Sequence, residues 1–496
     1  MRRLRELLSG ISGADANGSD FEVDHISNYA NKIKPGGVYV ACDLPWMDGY
    51  RAIGRAVERG AAAVVVDREV TLPNGSGCRT VTVGDSKKAY SIMCANFFNQ
   101  THRQMSLYAV TGTKGKTTTC HLLESIFRNA GLKTGLIGTI VRKIGSQEAE
   151  SVSTTPEPYD LHSLLSEMRG AGVTHVILEV SSIGIAEERI CGLRFEGLIF
   201  TNLGHEHLTY HGGLENYQVA KSRLFTEHTS ADGNYPVCAI NTDDAFGMHL
   251  ASVSQGEVIT YGLTGEVNGN DLALDEKGIY GEVSGIPIHS SLLGAHNAYN
   301  ILGAVALSSK MNISFSSIAG GVSSLSSIPG RLERLSDASG VDVFVDYAHT
   351  PESVFVVLAS MRELFAGRSL IVVLGCGGGS DRMKRPIMTK MAVENSDVCI
   401  LTSDNPRLEE PMNIIEDMLG GVHSEEKDLV ERGQLEVVID RREAIHRGAE
   451  IAVNRGGVLV ILGKGHERYQ IVGNVTTRFD DREVVAEALH CRAERA

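Results

Sequence analysis

The feature that most constrains this chain is the run Thr111-Gly112-Thr113-Lys114-Gly115-Lys116-Thr117-Thr118. It lies between an apolar segment at 107–110 and a stretch whose Leu122, Leu123, Ile126 and Phe127 share one helical face. A strand that turns through glycines straight into a helix belongs to a parallel α/β sheet. Glycines let backbone N–H groups approach an anion, and the helix N-terminus adds partial positive charge. Lys116 would then reach β/γ-phosphates, and the Thr117 hydroxyl would ligate Mg²⁺. The full pattern begins with glycine at position 110, where Val110 stands, so the loop is a shortened form. The alternative is an ordinary glycine turn capping a helix. With a strand before it and a helix after it, the run reads as an ATP site formed by Gly112, Thr113, Lys114, Gly115, Lys116, Thr117 and Thr118.

The strand–helix alternation extends over the whole chain. At roughly 150 residues per domain, the 496 residues suggest about three domains. The first, 1–104, has strands at 38–41 and 62–66 and helices at 50–59 and 86–98. The second, 105–331, adds buried-looking strands at 176–180, 198–203 and 237–240. A Ser-rich stretch at 323–327 and Pro329-Gly330 mark its end. The third, 332–496, restarts the alternation with strands at 343–345, 370–374, 398–401, 437–439 and 458–462. The expected fold is α/β in three domains. A small N-terminal α/β domain precedes a central P-loop ATPase domain and a C-terminal Rossmann-like domain, the last two with doubly wound sheets. Glycine, at 54 residues, is enriched to about 11% against the usual ~7%, which suits many tight turns.

Net charge is −14. A nucleic-acid or anionic-membrane binder would carry the opposite sign, so phosphate must be held by a local site. The nine cysteines are scattered singly, without C-x-x-C spacing, and read as reduced thiols. No segment has the ~20 apolar residues of a membrane span, and none resembles a signal peptide. The chain reads as a cytoplasmic monomer acting on small molecules.

Acids that could serve a metal follow at strand ends. Glu179 closes the strand at 176–180, and His205, Glu206 and His207 follow the strand at 198–203. A carboxylate there is where Mg²⁺ would sit. Mg²⁺ prefers oxygen, and on spacing alone either histidine reads as a core or surface residue.

Longer motifs narrow the reading. Gly112-Thr113-x-Gly115-Lys116-Thr117 followed by Glu179-Val180-Ser181-Ser182 resembles the Mur ligases, ATP-dependent amide-bond formers of peptidoglycan synthesis. Two further segments, Thr201-Asn202-Leu203-x-His205-Glu206-His207-Leu208-x-Tyr210-His211-Gly212 and Tyr217-x-x-Ala220-Lys221-x-x-Leu224-Phe225, point to the branch that adds the third peptide residue. The likeness continues through Gly294-x-His296-Asn297-x-x-Asn300, Pro329-Gly330-Arg331 and Asp346-Tyr347-Ala348-His349-Thr350-Pro351. It ends with Lys384-Arg385-Pro386, Asp404-Asn405-Pro406-Arg407, Gly463-Lys464-Gly465-His466-Glu467 and Phe479-Asp480-Asp481-Arg482-Glu483.

The resemblance implies an ATP-dependent acid–amino-acid ligase. ATP phosphorylates the D-glutamyl carboxylate of UDP-MurNAc-L-Ala-D-Glu, and an amine of meso-diaminopimelate attacks the acyl phosphate. Two anions meet in the first step, so Lys116 and Mg²⁺ must neutralise charge. By resemblance Thr117, Glu179, His207 and Lys221 hold the metal, with Lys116 catalytic beside them. Lys221 reads as a surface lysine on spacing alone, and the family carries it carbamylated by CO₂, as N6-carboxylysine. Asn297 and Asn300, at i and i+3 on one helix face, suit an adenine edge. Arg331, at the end of the second domain, and Asp346 and His349 of the third would face the nucleotide, in a site the family completes by domain closure.

For the dipeptide nucleotide the candidates are Ser27, Asn28, Thr154, Thr155, Ser181 and Arg189, whose fork suits a carboxylate. For the incoming amino acid they are Asp404, Asn405, Pro406, Arg407, Gly463 and Glu467. Arg407 would take the distal carboxylate and Glu467 the ammonium, so diaminopimelate is favoured over lysine.

The sequence departs from the family in four places. Ile183 stands where the family has histidine, Glu206-His207-Leu208-Thr209 replaces Asp-His-Leu-Asp, Ser380 replaces an arginine, and Tyr29-Ala30-Asn31 replaces Asp-Ser-Arg. The rivals are a lysine-adding or folylpolyglutamate-type ligase of the same fold, and a non-catalytic NTP-binding regulator.

Overall fold

The computed structural model describes residues 1–16, 20–73, 75–228, 233–335 and 341–493. The chain divides into two compact units. The first comprises Met1–Asp271, Glu282–Pro287 and Tyr299–Val322, and the second Leu272–Gly281, Ile288–Ala298 and Ser323–Ala496.

A nine-stranded sheet organises the first unit, with strand Ser106–Thr111 between His175–Glu179 and Gly197–Phe200. Both neighbours run parallel to it, pairing Val110 with Glu179 and with Ile199. The chain leaves Ser106–Thr111 for Thr134–Ile137 and His175–Glu179 on one side. It then crosses to Gly197–Phe200, Val237–Asn241 and Val258–Gly262 on the other. That reversal of direction opens a crevice at the carboxyl end of Ser106–Thr111, where ligands of open α/β sheets bind. The central strands are apolar and buried because helices cover both faces, which is why they are legible as short hydrophobic runs. The edge hairpin Val141–Ile144 and Gln147–Glu150 escaped that signal: its second strand is exposed throughout.

Residues 1–104 belong to the same unit. Their five-stranded sheet has the order Asp15–Ala16, Arg79–Thr82, Ala63–Val66, Val38–Val40, Ile26–Ser27. Helix Ser86–Phe97 and the 3₁₀ turn Thr101–Gln104 pack on helix Pro158–Gly170. At this joint the buried rings of His102 and His162 lie 5.4 Å apart. Nε2 of His162 has no hydrogen-bond partner. Burial, with Arg103 and Arg194 adding, pushes the His102 pKa down to about 4, and burial beside His102 pushes His162 down to about 3. Between about pH 6.5 and pH 4 the unfolded chain therefore binds protons that the folded one refuses. Stability is complete above pH 6.5 and falls with pH through that window, by about 3 kcal/mol for His102 alone. Calorimetry from pH 7 to pH 4 should show this loss, and His102→Gln should lessen it while His162 retains its share; an unchanged slope in that variant would remove the explanation.

The second unit carries a six-stranded sheet in the order Glu333–Leu335, Asp342–Asp346, Val458–Leu462, Leu370–Cys376, Val398–Ser403, Leu435–Val437. All neighbours are parallel except the edge pair Glu333–Leu335 and Asp342–Asp346. Apolar layers on both faces bury the strands. The last strand sits two residues before its expected place at 437–439. Leu435 is fully buried opposite Cys399, whereas Val437 and Ile439 remain exposed, so core packing sets the register. Among the described residues no helix is long and apolar enough to cross a membrane.

Candidate active site

In the first unit the glycine-rich loop joins strand Ser106–Thr111 to helix Lys116–Asn129. Gly112 has φ +152° and Gly115 φ +83°, and a Cβ on Gly112 would lie 1.9 Å from Thr201 Oγ1. Glycine is required there by conformation and by space. The loop is clasped from the next strand end: Lys114 N donates to Asn202 Oδ1 at 2.9 Å, and Thr201 Oγ1 donates to Lys114 O at 2.6 Å. Lys116 Nζ curls back to Gly112 O and Thr113 O, at 2.8 and 2.9 Å. Thr118 is buried behind the loop on the same helix. Lys114 pairs with Glu206, which brings the segment after strand Gly197–Phe200 over the loop.

Glu179 is 1% exposed, yet its carboxylate is fully engaged. Thr117 Oγ1 donates to Oε2 at 3.1 Å, Thr139 Oγ1 to the same oxygen at 2.8 Å, and Thr139 N to Oε1 at 2.9 Å. The parallel register, Val110 beside Glu179, brings the Thr117 hydroxyl and this carboxylate together.

Lys221 is 1% exposed, on helix Leu214–Thr226, so the surface reading is excluded. Its Nζ donates to Gly112 O at 2.8 Å and lies 4.7 Å from the centre of the Tyr217 ring. Burial, and then the charge of Lys116, hold its ammonium well below the ordinary lysine pKa, with Glu206 opposing. His207 has φ +57° and precedes the short helix Leu208–His211. Burial lowers the pKa of its ring, Glu206 opposes, and Lys116, Lys221 and Lys114 add to the lowering. Four of the expected residues, Lys116, Thr117, Glu179 and Lys221, thus meet within hydrogen-bond reach of the loop or of one another. Asn300 joins them: Thr119 Oγ1 donates to its Oδ1 at 3.3 Å.

Beyond Glu179 the same unit gathers another expected set. Thr154 Oγ1 lies 3.0 Å from Thr139 Oγ1, and Thr155 Oγ1 bonds to Glu179 O and to the Ser181 hydroxyl, at 3.0 and 3.1 Å. Arg189 donates to Thr155 O at 2.8 Å and pairs with Glu157 at 2.8 Å. Burial raises the Glu157 pKa against the opposing charge of Arg189. Trp46 stands 51% exposed, its ring 5.8 Å from the Arg189 guanidinium. Ser27 and Asn28 are buried in the N-terminal sheet region; Ser27 Oγ accepts from Tyr29 N at 3.0 Å, and Asn28 Oδ1 lacks a partner.

In the second unit two loops follow strands Val398–Ser403 and Val458–Leu462. Asn405 Nδ2 donates to Glu467 Oε2 at 2.7 Å, and Lys464, fully buried, donates to Asn405 Oδ1 and Glu467 Oε2 at 3.2 Å each. Burial raises the Glu467 pKa, Lys464 opposes and Asp404 adds. Gly463 has φ +115°, and a Cβ there would lie 2.6 Å from Asp404 Oδ2. After Pro406, Arg407 adopts φ +54°, its N–H bonded to Ile471 O at 3.0 Å and its Nη1 donating to Gly378 O at 2.5 Å. Elsewhere in this unit Asp346 accepts from Leu332 N and Ala348 N at 2.7 Å each. Tyr347 lies 5.1 Å from the Arg331 guanidinium and 4.6 Å from the His349 ring. Asn297 donates to Leu293 O at 2.8 Å.

Comparison with known proteins adds the lineage. Residues 110–308 match the Mur ligase middle domain, and residues 330–465 match the Mur ligase glutamate ligase domain. The chain is 38% identical over 480 residues to the UDP-N-acetylmuramoyl-L-alanyl-D-glutamate–2,6-diaminopimelate ligase of Geobacter sulfurreducens, covering 93% of each. The chain belongs to the Mur ligase family. The Aquifex aeolicus ligase of the same name is 39% identical over 476 residues, with 94% of each chain covered. A solved structure of a ligase of that name superposes with a TM-score of 0.67 at 30% identity, over 95% of this chain and 98% of that one.

Two departures of this Mur ligase from the family pattern can be placed in the structure. Ser380 Oγ donates to Gly377 O at 2.8 Å. Arg382, the arginine two positions on, is bound bidentately by Asp417 at 2.9 and 2.9 Å, and buried Arg385 shares Asp417 while also holding Glu409. Ile183 lies on the short helix Ser182–Ala186, whose Ser182 hydroxyl meets His211 Nε2 at 3.0 Å. Sequence reasoning gave no role to Thr139 or Lys464. Lys464 lies inside the run Gly463-Lys464-Gly465-His466-Glu467 and was findable there. Thr139 carries no local signal, because its partner Glu179 is 40 residues away.

Proposed function

We propose that the chain is an ATP-dependent amide ligase that joins meso-2,6-diaminopimelate to UDP-N-acetylmuramoyl-L-alanyl-D-glutamate through an acyl phosphate, in peptidoglycan precursor synthesis. The observation that carries the reading is the convergence of Lys116, Thr117, Glu179 and Lys221 on one glycine-rich loop, in a chain whose relatives bear that ligase name. Residues 1–104 serve the uridine nucleotide, 105–331 the ATP and 332–496 the amino acid, in a cytoplasmic monomer.

Among the described residues no three or more His, Cys, Asp or Glu converge as a metal cage. Mg²⁺ needs none, since it binds through one or two carboxylates together with substrate phosphates. The Thr117 hydroxyl beside the buried Glu179 carboxylate fits that requirement, with His207 at the margin. When bound, Mg²⁺ neutralises negative charge between the two anionic substrates. An ammonium at Lys221 would oppose a cation, and its lowered pKa resolves the conflict. The neutral amine would add to CO₂, forming an N–C bond and releasing one proton, so that an uncharged amine becomes an anionic carbamate.

The residues of the chain then divide the work. Lys116 and the loop N–H groups hold the transferring phosphoryl group. Gly112, Thr113, Lys114, Gly115 and Thr118 shape the loop, while Asn297, Asn300, Arg331, Asp346 and His349 meet the nucleotide. Thr154, Thr155, Ser181 and Arg189 orient the D-glutamyl carboxylate, and Ser27 and Asn28 hold the uridine side. Asp404, Asn405, Pro406, Arg407, Gly463 and Glu467 hold the diamine, with Arg407 on the distal carboxylate. Lysine has no such carboxylate and leaves a guanidinium unmatched, worth roughly 10²-fold or more in kcat/KM.

The test is phosphate release with Mg-ATP, bicarbonate and the dipeptide nucleotide, with meso-diaminopimelate or L-lysine in parallel. Release that requires both the dipeptide and meso-diaminopimelate is expected. Release with lysine in its place would overturn the assignment of Arg407, and none with either would overturn the ligase reading.

A further inference from the structure

Arg441 is 1% exposed, one of the largest fully buried side chains in the protein, and the chemistry above does not use it. It is the first residue of helix Arg441–Arg455, whose start is held by the Asp440 side chain accepting from Glu443 N. Its Nε and Nη2 donate to the two oxygens of Asp481, at 2.8 and 2.7 Å. Asp481 is itself fully buried, in the first turn of helix Asp481–Ala493. The remaining donors reach two backbone carbonyls: Nη1 to Ser403 O at 3.2 Å and Nη2 to Leu462 O at 3.1 Å.

Those two carbonyls end two different strands. Ser403 closes Val398–Ser403 and Leu462 closes Val458–Leu462, with strand Leu370–Cys376 lying between them in the sheet. The guanidinium spans that middle strand at Gly375, where a Cβ would come within 3.0 Å of Arg441 Nη1. The residue after each carbonyl begins a loop, Asp404 in one case and Gly463 in the other. The loops touch farther out, through Asn405 and Glu467 at 2.7 Å.

We propose that Arg441 is the positioning residue of the amino-acid site, its planar fork fixing the separation of the Asp404–Arg407 and Gly463–Glu467 loops from beneath while Asp481 fixes the fork. This rests on the reading of those loops as the amino-acid site. Only a planar group with several divergent donors can hold a carboxylate and two carbonyls at once; a lysine ammonium is a single point. The carboxylate of the nucleotide-side residue on the neighbouring strand, Asp346, is held by its own bonds to Leu332 N and Ala348 N. The Gly463 loop meets this residue at its backbone, through Gly463 N to Asp346 O at 3.2 Å, so loosening Arg441 acts on the amine first.

Two variants test this in the full-length protein. Arg441→Lys keeps a cation opposite Asp481 but cannot span both strand ends. The double variant Arg441→Met with Asp481→Leu removes both charges, a replacement that buried pairs often tolerate in folding. In each, the KM for meso-diaminopimelate is expected to rise at least about tenfold, as misplacement of a binding group by an ångström or so would give. The KM values for ATP and the dipeptide nucleotide, and dipeptide-dependent ADP–ATP isotope exchange without amine, should stay within about twofold, because they do not use these loops. An unchanged KM for the amine, a parallel rise of all three constants, or failure of both variants to fold would overturn the proposal. Failure of the underlying functional reading shows instead in the wild-type protein, as turnover that does not depend on meso-diaminopimelate.

Discussion

Lys116→Ala is expected to lower kcat/KM for phosphate release by about 10³-fold, the upper end of what one preorganised donor contributes to a charged transition state. Its ammonium donates to two carbonyls of its own loop, Gly112 O and Thr113 O, at 2.8 and 2.9 Å. Loss of two such bonds costs about 1–2 kcal/mol of stability, readable as a small shift in melting temperature. Binding of the dipeptide nucleotide, measured by calorimetry without ATP, should be unchanged. A variant within tenfold of wild type would mean that the loop does not handle the transferring phosphate.

The second large effect is at Lys221. Lys221→Ala should reduce turnover by about 10²–10³-fold, the scale of losing one charged group beside a reacting phosphate. Small carboxylates such as formate or acetate should restore part of it by entering the space the side chain leaves. In the wild-type protein, removal of CO₂ and bicarbonate should lower the rate reversibly, and ¹³C-bicarbonate should give a carbamate resonance that the variant lacks. The physical basis is the burial of an amine beside Lys116, which disfavours its protonated form. Only the neutral amine can add CO₂. Full activity of Lys221→Ala at low bicarbonate would dispose of the carbamate.

Much of this protein was readable one segment at a time. The glycine-rich loop, its strand and its helix were legible because their signals are local: glycine where φ is positive, apolar runs where both faces of a sheet are covered, a helical stripe where one face is. Glu179 was marked as a strand-end acid for the same reason. The misplaced strand at 437–439 shows the limit, since Val437, Val438 and Ile439 form a plausible β run and only the pairing of Leu435 with Cys399 decides the register. The exposed edge strand Gln147–Glu150 was invisible because nothing apolar marks it.

The sequence by itself determined the α/β class, the glycine-rich loop with its strand and helix, and the set of candidate site residues, since each depends on side-chain type and on neighbours within a few positions. Tertiary structure alone decided which charges meet. It placed Lys221, a surface lysine on spacing alone, as a buried amine against Gly112 and gave Arg189 an internal partner in Glu157. It also committed Arg382 to Asp417 and joined Arg441 to Asp481 across 40 positions of chain. Such pairs are set by the order of strands in a sheet and by what is excluded from water around them, and neither is a property of any short stretch of sequence.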